Sequence, residues 1–249
     1  MTVPADNWVN ASNGTATAVS VQALGSCSTN DCDAAGGSST WWENASSSPA
    51  TVYFVIEGDG VVSGALSLVF NTMSTPPEVE LGDGTDDASL PIELWYDYSY
   101  SQSIYYVSEL YPGQIQQIGW EFNGGYSSTE TIVVYMGHTT KTAFSSGSDW
   151  IPLADLTEVF SGTIAPSAAG WLMVDLDTPF DYNGTDRLVV AVDRNTGSYL
   201  SSASNFYCTA TLAARSLQLY QDSSDILPAS PPSAYSTTLY IPNTRFYLY

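Results

Sequence analysis

The chain has 249 residues, 44% of them apolar and 13% aromatic, but only 12% charged, about half the ~25% usual for soluble domains. Acids outnumber Lys and Arg by 26 to 5, a formal net charge of −21. A field of that sign repels phosphate backbones and anionic lipid, so nucleic acid and membrane surfaces are not expected as partners, while cations, neutral sugars or a basic protein remain.

No stretch approaches the ~20 apolar residues of a membrane helix. The opening MTVPADNWVN has neither a basic n-region nor an apolar h-region, so any secretion signal is expected to lie outside this sequence. The first strand signal is TATAVSVQAL at 15–24, long, uncharged and β-prone. Cys27 and Cys32 then bracket STND, a polar turn that a local disulfide can close. A two-thiolate metal site is the rival reading, short of further ligands in a chain with one His and one other Cys. Within the Ser/Gly-rich loop at 33–48 sit Trp41 and Trp42. Neighbours on a strand point to opposite faces, so one ring is expected in the core and the other toward solvent, where it can meet a glycan or a protein.

Strands are expected next over TVYFVIEG at 51–58 and ALSLVF at 65–70. STPPEVELGDGTDDASLP at 74–91 is rich in Pro, Gly and acid and reads as a linker. It divides an N-terminal β segment, residues 1–77, from a larger sandwich, residues 78–249. Within it, Asp83, Asp86 and Asp87 resemble part of a calcium loop, without the D-x-D-x-D-G pattern or distal Glu of an EF-hand.

PIELWYDYSYSQSIYY at 91–106 alternates as a strand. Leu94, Tyr96, Tyr98 and Tyr100 would share one face, with Trp95, Asp97, Ser99 and Ser101 on the other. The tyrosines continue the apolar register of Ile92 and Leu94, which favours scaffold over a sugar-stacking surface. If a stacking platform exists, Trp95 and Trp120 are its better candidates. Short helical turns are expected around 107–113 and 152–160. Further strands are expected at 115–122, 131–137, 170–176, 187–193, 215–221 and 244–249. In DLDTPFDYNGTD at 175–186, the residues Asp181, Asn183 and Asp186 cluster in one turn as a second calcium candidate. His138 is the only histidine and no G-x-S-x-G elbow accompanies it, so it reads as a hydrogen-bonded turn residue. Cys208, in NFYCTATL, reads as a buried strand residue.

Many strands, few helices and Gly/Pro turns predict an all-β chain: a jelly-roll-like β-sandwich preceded by a small N-terminal β segment, Ig-like or an incomplete sandwich. LGDGT at 81–85, LPIELWYDYSYSQSIYYVSEL at 90–110, YMGHTTKTAFSSGSDWIPLADLTEVFSGT at 135–163, GWLMVDLDTPFDYNGTDRLVVAVDRNTGSY at 170–199 and LQLYQDSSDILPASPP at 217–232 follow in order. Together they resemble a repeat domain of secreted surface and adhesin proteins of Bacteroidota. The resemblance implies an extracellular, mainly β module of jelly-roll adhesin type, one in which structural calcium is common, and it brings no catalytic residue set.

The expected function is therefore a non-catalytic extracellular adhesion or binding module that recognises a surface polysaccharide or a partner protein. One rival is a fibre or stalk subunit that self-associates by pairing residues 15–24 with a neighbour. The other is a secreted hydrolase, whose carboxylate pair the sequence neither points to nor excludes.

Overall fold

The computed structural model describes residues 1–5, 7–13, 19–24, 34–36, 39–44, 46–58, 68–73, 78–125, 128–200 and 205–248. Apart from two 3-10 turns, Val107–Glu109 and Leu153–Asp155, the regular elements described are all strands. The chain is all-β and its sheets are antiparallel. It divides into two compact units, Met1–Pro77 with Tyr111–Gly113 and Leu248–Tyr249, and Glu78–Leu110 with Gln114–Tyr247.

The first unit holds β1 (Thr2–Val3), β2 (Asn7–Asn13), β3 (Val19–Leu24), β4 (Ala34–Gly36), β5 (Ser39–Asn44), β6 (Ala50–Thr51), β7 (Tyr53–Gly58) and β8 (Leu68–Met73). They form two three-stranded sheets, β5-β2-β8 and β4-β3-β7, with β1 paired to β6. Val9 and Trp42 are directly opposed across β2 and β5, and with Val3, Val52 and Phe54 they make the apolar cluster of this unit. Strand β3 lies in the middle of its sheet, paired with β7 on one side and β4 on the other. Residues 21–23 are therefore paired on both sides, while 19, 20 and 24 pair with β7 alone among the described residues; residues 15–18 of the segment expected to pair between subunits lie outside the described residues.

The second unit begins with β9 (Glu78–Leu81) and β10 (Asp86–Asp87), then β11 (Tyr98–Tyr105), β12 (Gly113–Phe122), β13 (Glu130–Thr139) and β14 (Thr157–Ile164). It continues with β15 (Gly170–Tyr182), β16 (Arg187–Arg194), β17 (Tyr207–Ala210), β18 (Ser216–Gln221), β19 (Ser236–Thr238), β20 (Tyr240–Pro242) and β21 (Thr244–Leu248). Six strands form one sheet in the order β14-β13-β16-β11-β18-β19, four form a second in the order β15-β12-β21-β9, and β10-β17-β20 make a short third. Successive strands pass between the two large sheets, as in a sandwich.

Strand β9 corrects the linker expected at 74–91. Its EVEL alternates, with Val79 buried and opposite Phe246 of β21. On the other face Glu78 and Glu80 meet Arg245 at 2.7 and 2.6 Å. One buried valine and two paired carboxylates suffice for an edge strand. The expected helical turns also shrink: residues 157–160 belong to β14 rather than to a helix.

Strand β11 sits in the centre of the six-stranded sheet and is buried on both faces. Ser99, Ser101, Ser103 and Tyr105 point toward the four-stranded sheet, where Tyr105 donates to or accepts from Thr244 at 2.7 Å and meets Phe246 edge-on at 5.2 Å. Three serines in this row keep the layer thin, and their hydroxyls are satisfied, Ser101 on Pro91 O at 2.6 Å and Ser103 on Ser216 at 2.8 Å. The opposite face carries Tyr98, Tyr100, Gln102 and Ile104. Two irregular segments cover it: 141–156 contributes Phe144, Trp150, Ile151 and Leu156, and 222–235 contributes Ile226 and Ala234. Those segments are also bonded to each other, through Trp150 Nε1 to Pro232 O at 2.9 Å, Ala234 N to Gly147 O at 2.9 Å, and the Ser148 and Ser233 hydroxyls at 2.7 Å.

Gln102 pins the first cover to the sheet. Its amide donates to Ile151 O at 2.8 Å and to the Tyr100 hydroxyl at 3.0 Å, and its carbonyl accepts the Ile151 N–H at 2.8 Å. All of this is buried. A buried backbone group left without a partner costs ~1–3 kcal/mol. Gln102→Leu strands both groups of Ile151 and is expected to lower stability by about 2–4 kcal/mol, read as an earlier urea midpoint with an unchanged slope.

Candidate functional site

The stretch WYDYSYSQSIYY does not enter β11 as one strand. Residues 94–97 form a turn before Tyr98, so Tyr96 leaves the stripe that Tyr98 and Tyr100 share. Its ring packs instead at a tilt against Tyr220 of β18, with centroids 4.4 Å apart, and Tyr220 in turn meets Tyr235 at 5.1 Å, also tilted. Tyr235 donates its hydroxyl to Tyr220 O at 3.0 Å. The three rings make a ridge at the β18–β19 edge of the six-stranded sheet. Tyr235 is 67% exposed, and Trp95, beside Tyr96 in the chain, is 49% exposed.

A buried ion pair fixes the turn that presents Tyr96 and Trp95. Arg194, at the end of β16, is fully buried and its Nε meets Glu130 Oε2 at 2.6 Å, Glu130 being buried too. The same guanidinium donates to Tyr96 O and, at 2.7 Å, to Ser198 O. Backbone bonds join the two loops it bridges, Gly197 N to Asp97 O at 3.1 Å and Leu200 N to Leu94 O at 2.7 Å. Glu93 caps the turn from within, accepting the Trp95 N–H at 2.9 Å. The rigid planar fork of Arg reaches three acceptors in different directions from three separate nitrogens, whereas an ammonium presents its three donors from a single atom.

Beside Arg194 in β16, Asp193 faces the covered side of the sheet, opposite Tyr100 of β11 and Val133 of β13. It is 3% exposed, and its Oδ1 has no hydrogen-bond partner. Burial, with the Asp225 carboxylate adding to it, pushes its carboxyl up to about 7 and so makes it a weaker acid. Burial likewise pushes the Tyr135 phenol up to about 12, with Asp193, Glu158 and Asp225 contributing.

The other expected site residues are placed as follows. Trp120 is only 1% exposed; on β12 its ring belongs to the interior, which corrects its assignment to a sugar platform. Trp42 is half-buried against the Val3–Val9–Val52 cluster. Trp41 lies on β5 opposite Asn10, and its side chain, like Cys27 and Cys32 as a whole, falls outside the described residues. Cys208 is buried and free, with its thiol pushed up to about 12 by burial.

The two calcium candidates are hydrogen-bonded turns. In the first, the Asp83 and Gly84 N–H groups donate to Thr209 Oγ1 at 2.9 and 2.7 Å, while Asn243 donates to Gly84 O at 2.9 Å. A Cβ on Gly84 would lie 2.3 Å from Cys208 O, so that glycine answers a close approach to β17. Asp87 accepts from Ser89 N at 3.2 Å and from the Asn205 amide, and Asp86 is exposed on β10. In the second, Asn183 Oδ1 accepts the N–H groups of Thr185 and Asp186 at 2.9 and 3.0 Å, and its amide donates to Asp186 at 2.9 Å. Asp181 turns away to Gln114 at 2.9 Å. Among the described residues no three His, Cys, Asp or Glu side chains converge as a metal group.

His138 lines an open pocket of about 490 Å³ with Lys141, Asp155 and Asp186. Its Nε2 accepts the Asn183 N–H at 3.1 Å, which makes Nδ1 the protonated nitrogen of the neutral ring, and Phe180 and Tyr182 lie against it at 5.0 and 5.9 Å. These contacts tie it into the packing of β13, the strand on which it lies in place of the turn expected for it. No family model, no curated protein and no solved structure matches the chain.

Two outcomes follow from the buried charges. Arg194→Met leaves Glu130 buried and unpaired and is expected to cost about 3–5 kcal/mol in urea unfolding, whereas the Arg194→Met/Glu130→Gln pair should recover part of that loss. For Asp193 the native carboxyl keeps its proton up to about pH 7 while an unfolded Asp releases it near pH 4. The native state then binds more protons between those values, so this group's contribution is full below about pH 4 and is lost as pH rises through about 7. Asp193→Asn should therefore flatten the stability profile across that window and raise the midpoint at about pH 8, by about 1–4 kcal/mol, with little change near pH 4.

Proposed function

We propose that the protein is a non-catalytic extracellular adhesion module that binds a surface polysaccharide on the Tyr96–Tyr220–Tyr235 ridge. The observation that carries this reading is the ridge itself. Three tyrosines from separate parts of the chain pack within 4.4 and 5.1 Å of each other at a sheet edge, and the outermost is 67% exposed. With one ring exposed and two half-buried beneath it, the ridge offers a partner a preformed aromatic surface. Tyr offers a sugar both an apolar ring for the CH face of a pyranose and a hydroxyl for its polar rim. The turn beneath is held by buried hydrogen bonds before any ligand arrives, so little ordering remains to be done on binding.

The resemblance of residues from about 81 to 249 to secreted adhesin repeats supports the same reading, as does a surface kept soluble by hydroxyls and acid. Location at the cell surface and structural calcium at one of the acidic turns belong to this proposal.

The test is affinity electrophoresis against a panel of soluble bacterial and algal polysaccharides, run with calcium and with EDTA. Retardation by one glycan class is expected, and Tyr235→Ala should weaken it about tenfold, the ~1.4 kcal/mol that loss of one stacking ring implies, while leaving the thermal midpoint unchanged. Retardation that survives Tyr235→Ala in full would move the site elsewhere, and a panel without any retardation would overturn the function.

A further inference from the structure

The glycan class can be narrowed, on the premise that the ridge is the glycan site. The chain has five Lys and Arg residues in all, and each is committed away from the ridge surface. Lys141 pairs with Asp149, Arg215 with Glu109 at 2.5 Å, and Arg245 with Glu78 and Glu80. Arg187 donates to Thr140 O at 3.1 Å and lies over the Tyr106 ring. Arg194 is beneath the turn, fully buried and paired with Glu130. A uronic or sulfated polymer laid on the ridge would find no counter-charge.

It would find carboxylates instead. Asp97 follows Tyr96 directly, and Asp222, two residues after Tyr220, accepts the Asp97 N–H at 3.1 Å. Burial raises the Tyr220 phenol, and the neighbouring Tyr96 and the charge of Glu93 add to that. Tyrosine faces attract cations through the ring quadrupole. Both the rings and the charges beside them thus favour a positively charged group.

We infer that the ridge takes a polysaccharide bearing free amines, such as a partly deacetylated hexosamine polymer, with pyranose rings against the tyrosines and ammonium groups near Asp97 and Asp222. Binding then has a stacking part that ignores salt and an ionic part that salt screens.

The experiment titrates the full chain with three oligosaccharides of one length: a free-amine glucosamine oligomer, its fully N-acetylated form, and an oligouronate. The free-amine form should bind about fivefold tighter than the N-acetylated one at low salt, with the gap closing at high salt, and the oligouronate should not bind. Asp97→Asn/Asp222→Asn should abolish the gap. Asp175→Asn/Asp177→Asn removes the same two charges from β15, whose Asp177 meets β14 at the opposite edge of the six-stranded sheet, and should leave the gap intact. Tyr235→Ala should weaken the free-amine and N-acetylated forms alike. Equal affinity for those two forms, or equal loss from both Asp pairs, overturns the amine preference and leaves the ridge as a neutral-sugar site. Absence of binding by all three, together with a panel that shows no retardation, overturns the ridge reading as well.

Discussion

Arg194 and Glu130 are the two charges on which the presentation of the ridge depends. Removing an ion pair from water is costly and is repaid only where the remaining donors and acceptors are also satisfied. Here they are: Arg194 reaches Glu130, Tyr96 O and Ser198 O, and Glu130 also accepts the Thr196 hydroxyl at 2.8 Å. Two loops distant in the sequence, 94–97 and 195–200, are thereby held against the same guanidinium. Hydrophobic burial alone is non-directional and would not orient a turn whose outer residues, Trp95 and Tyr96, have little to bury.

The six-stranded sheet follows a related logic. Its serine row toward the second sheet and its Tyr–Gln–Ile row beneath the covers reverse the usual expectation that the larger residues face the partner sheet. The clusters around Ile104 and Tyr100 therefore lie under irregular chain, and that chain needs polar anchors to stay in place. Gln102 on Ile151 supplies one. Asp193 does the opposite: a carboxyl without a partner beneath the 222–235 segment makes that cover sensitive to protonation.

Much of the strand inventory was legible from alternation. Ten-residue β12 and β13, thirteen-residue β15 and eight-residue β16 each carry enough β-branched and aromatic residues to announce themselves. Strand β9 did not, because its Glu78 and Glu80 are solvated only until Arg245, 165 residues away, is brought alongside Glu80. The turn at 94–97 was concealed by an alternation that runs through it unbroken. The ridge was concealed by distance, Tyr96 and Tyr235 being 139 positions apart. One local sign existed: in LQLYQ, Leu217 and Leu219 take the covered face, so Tyr220 falls on the opposite side, where an aromatic ring must find other company. Trp120 misled because a ring near a loop in the sequence lies in a strand interior in the fold.

The bonds between the two cover segments have a further consequence. Trp150 to Pro232, Gly147 to Ala234 and Ser148 to Ser233 tie 141–156 to 222–235, so neither segment can lift alone without breaking its ties to the other. Opening is then a single cooperative event, and amide hydrogens in both covers should exchange with solvent at a common free energy below that of global unfolding. The aromatic face of β11 would be uncovered in that one step, as a transient sub-global state of an otherwise intact sandwich.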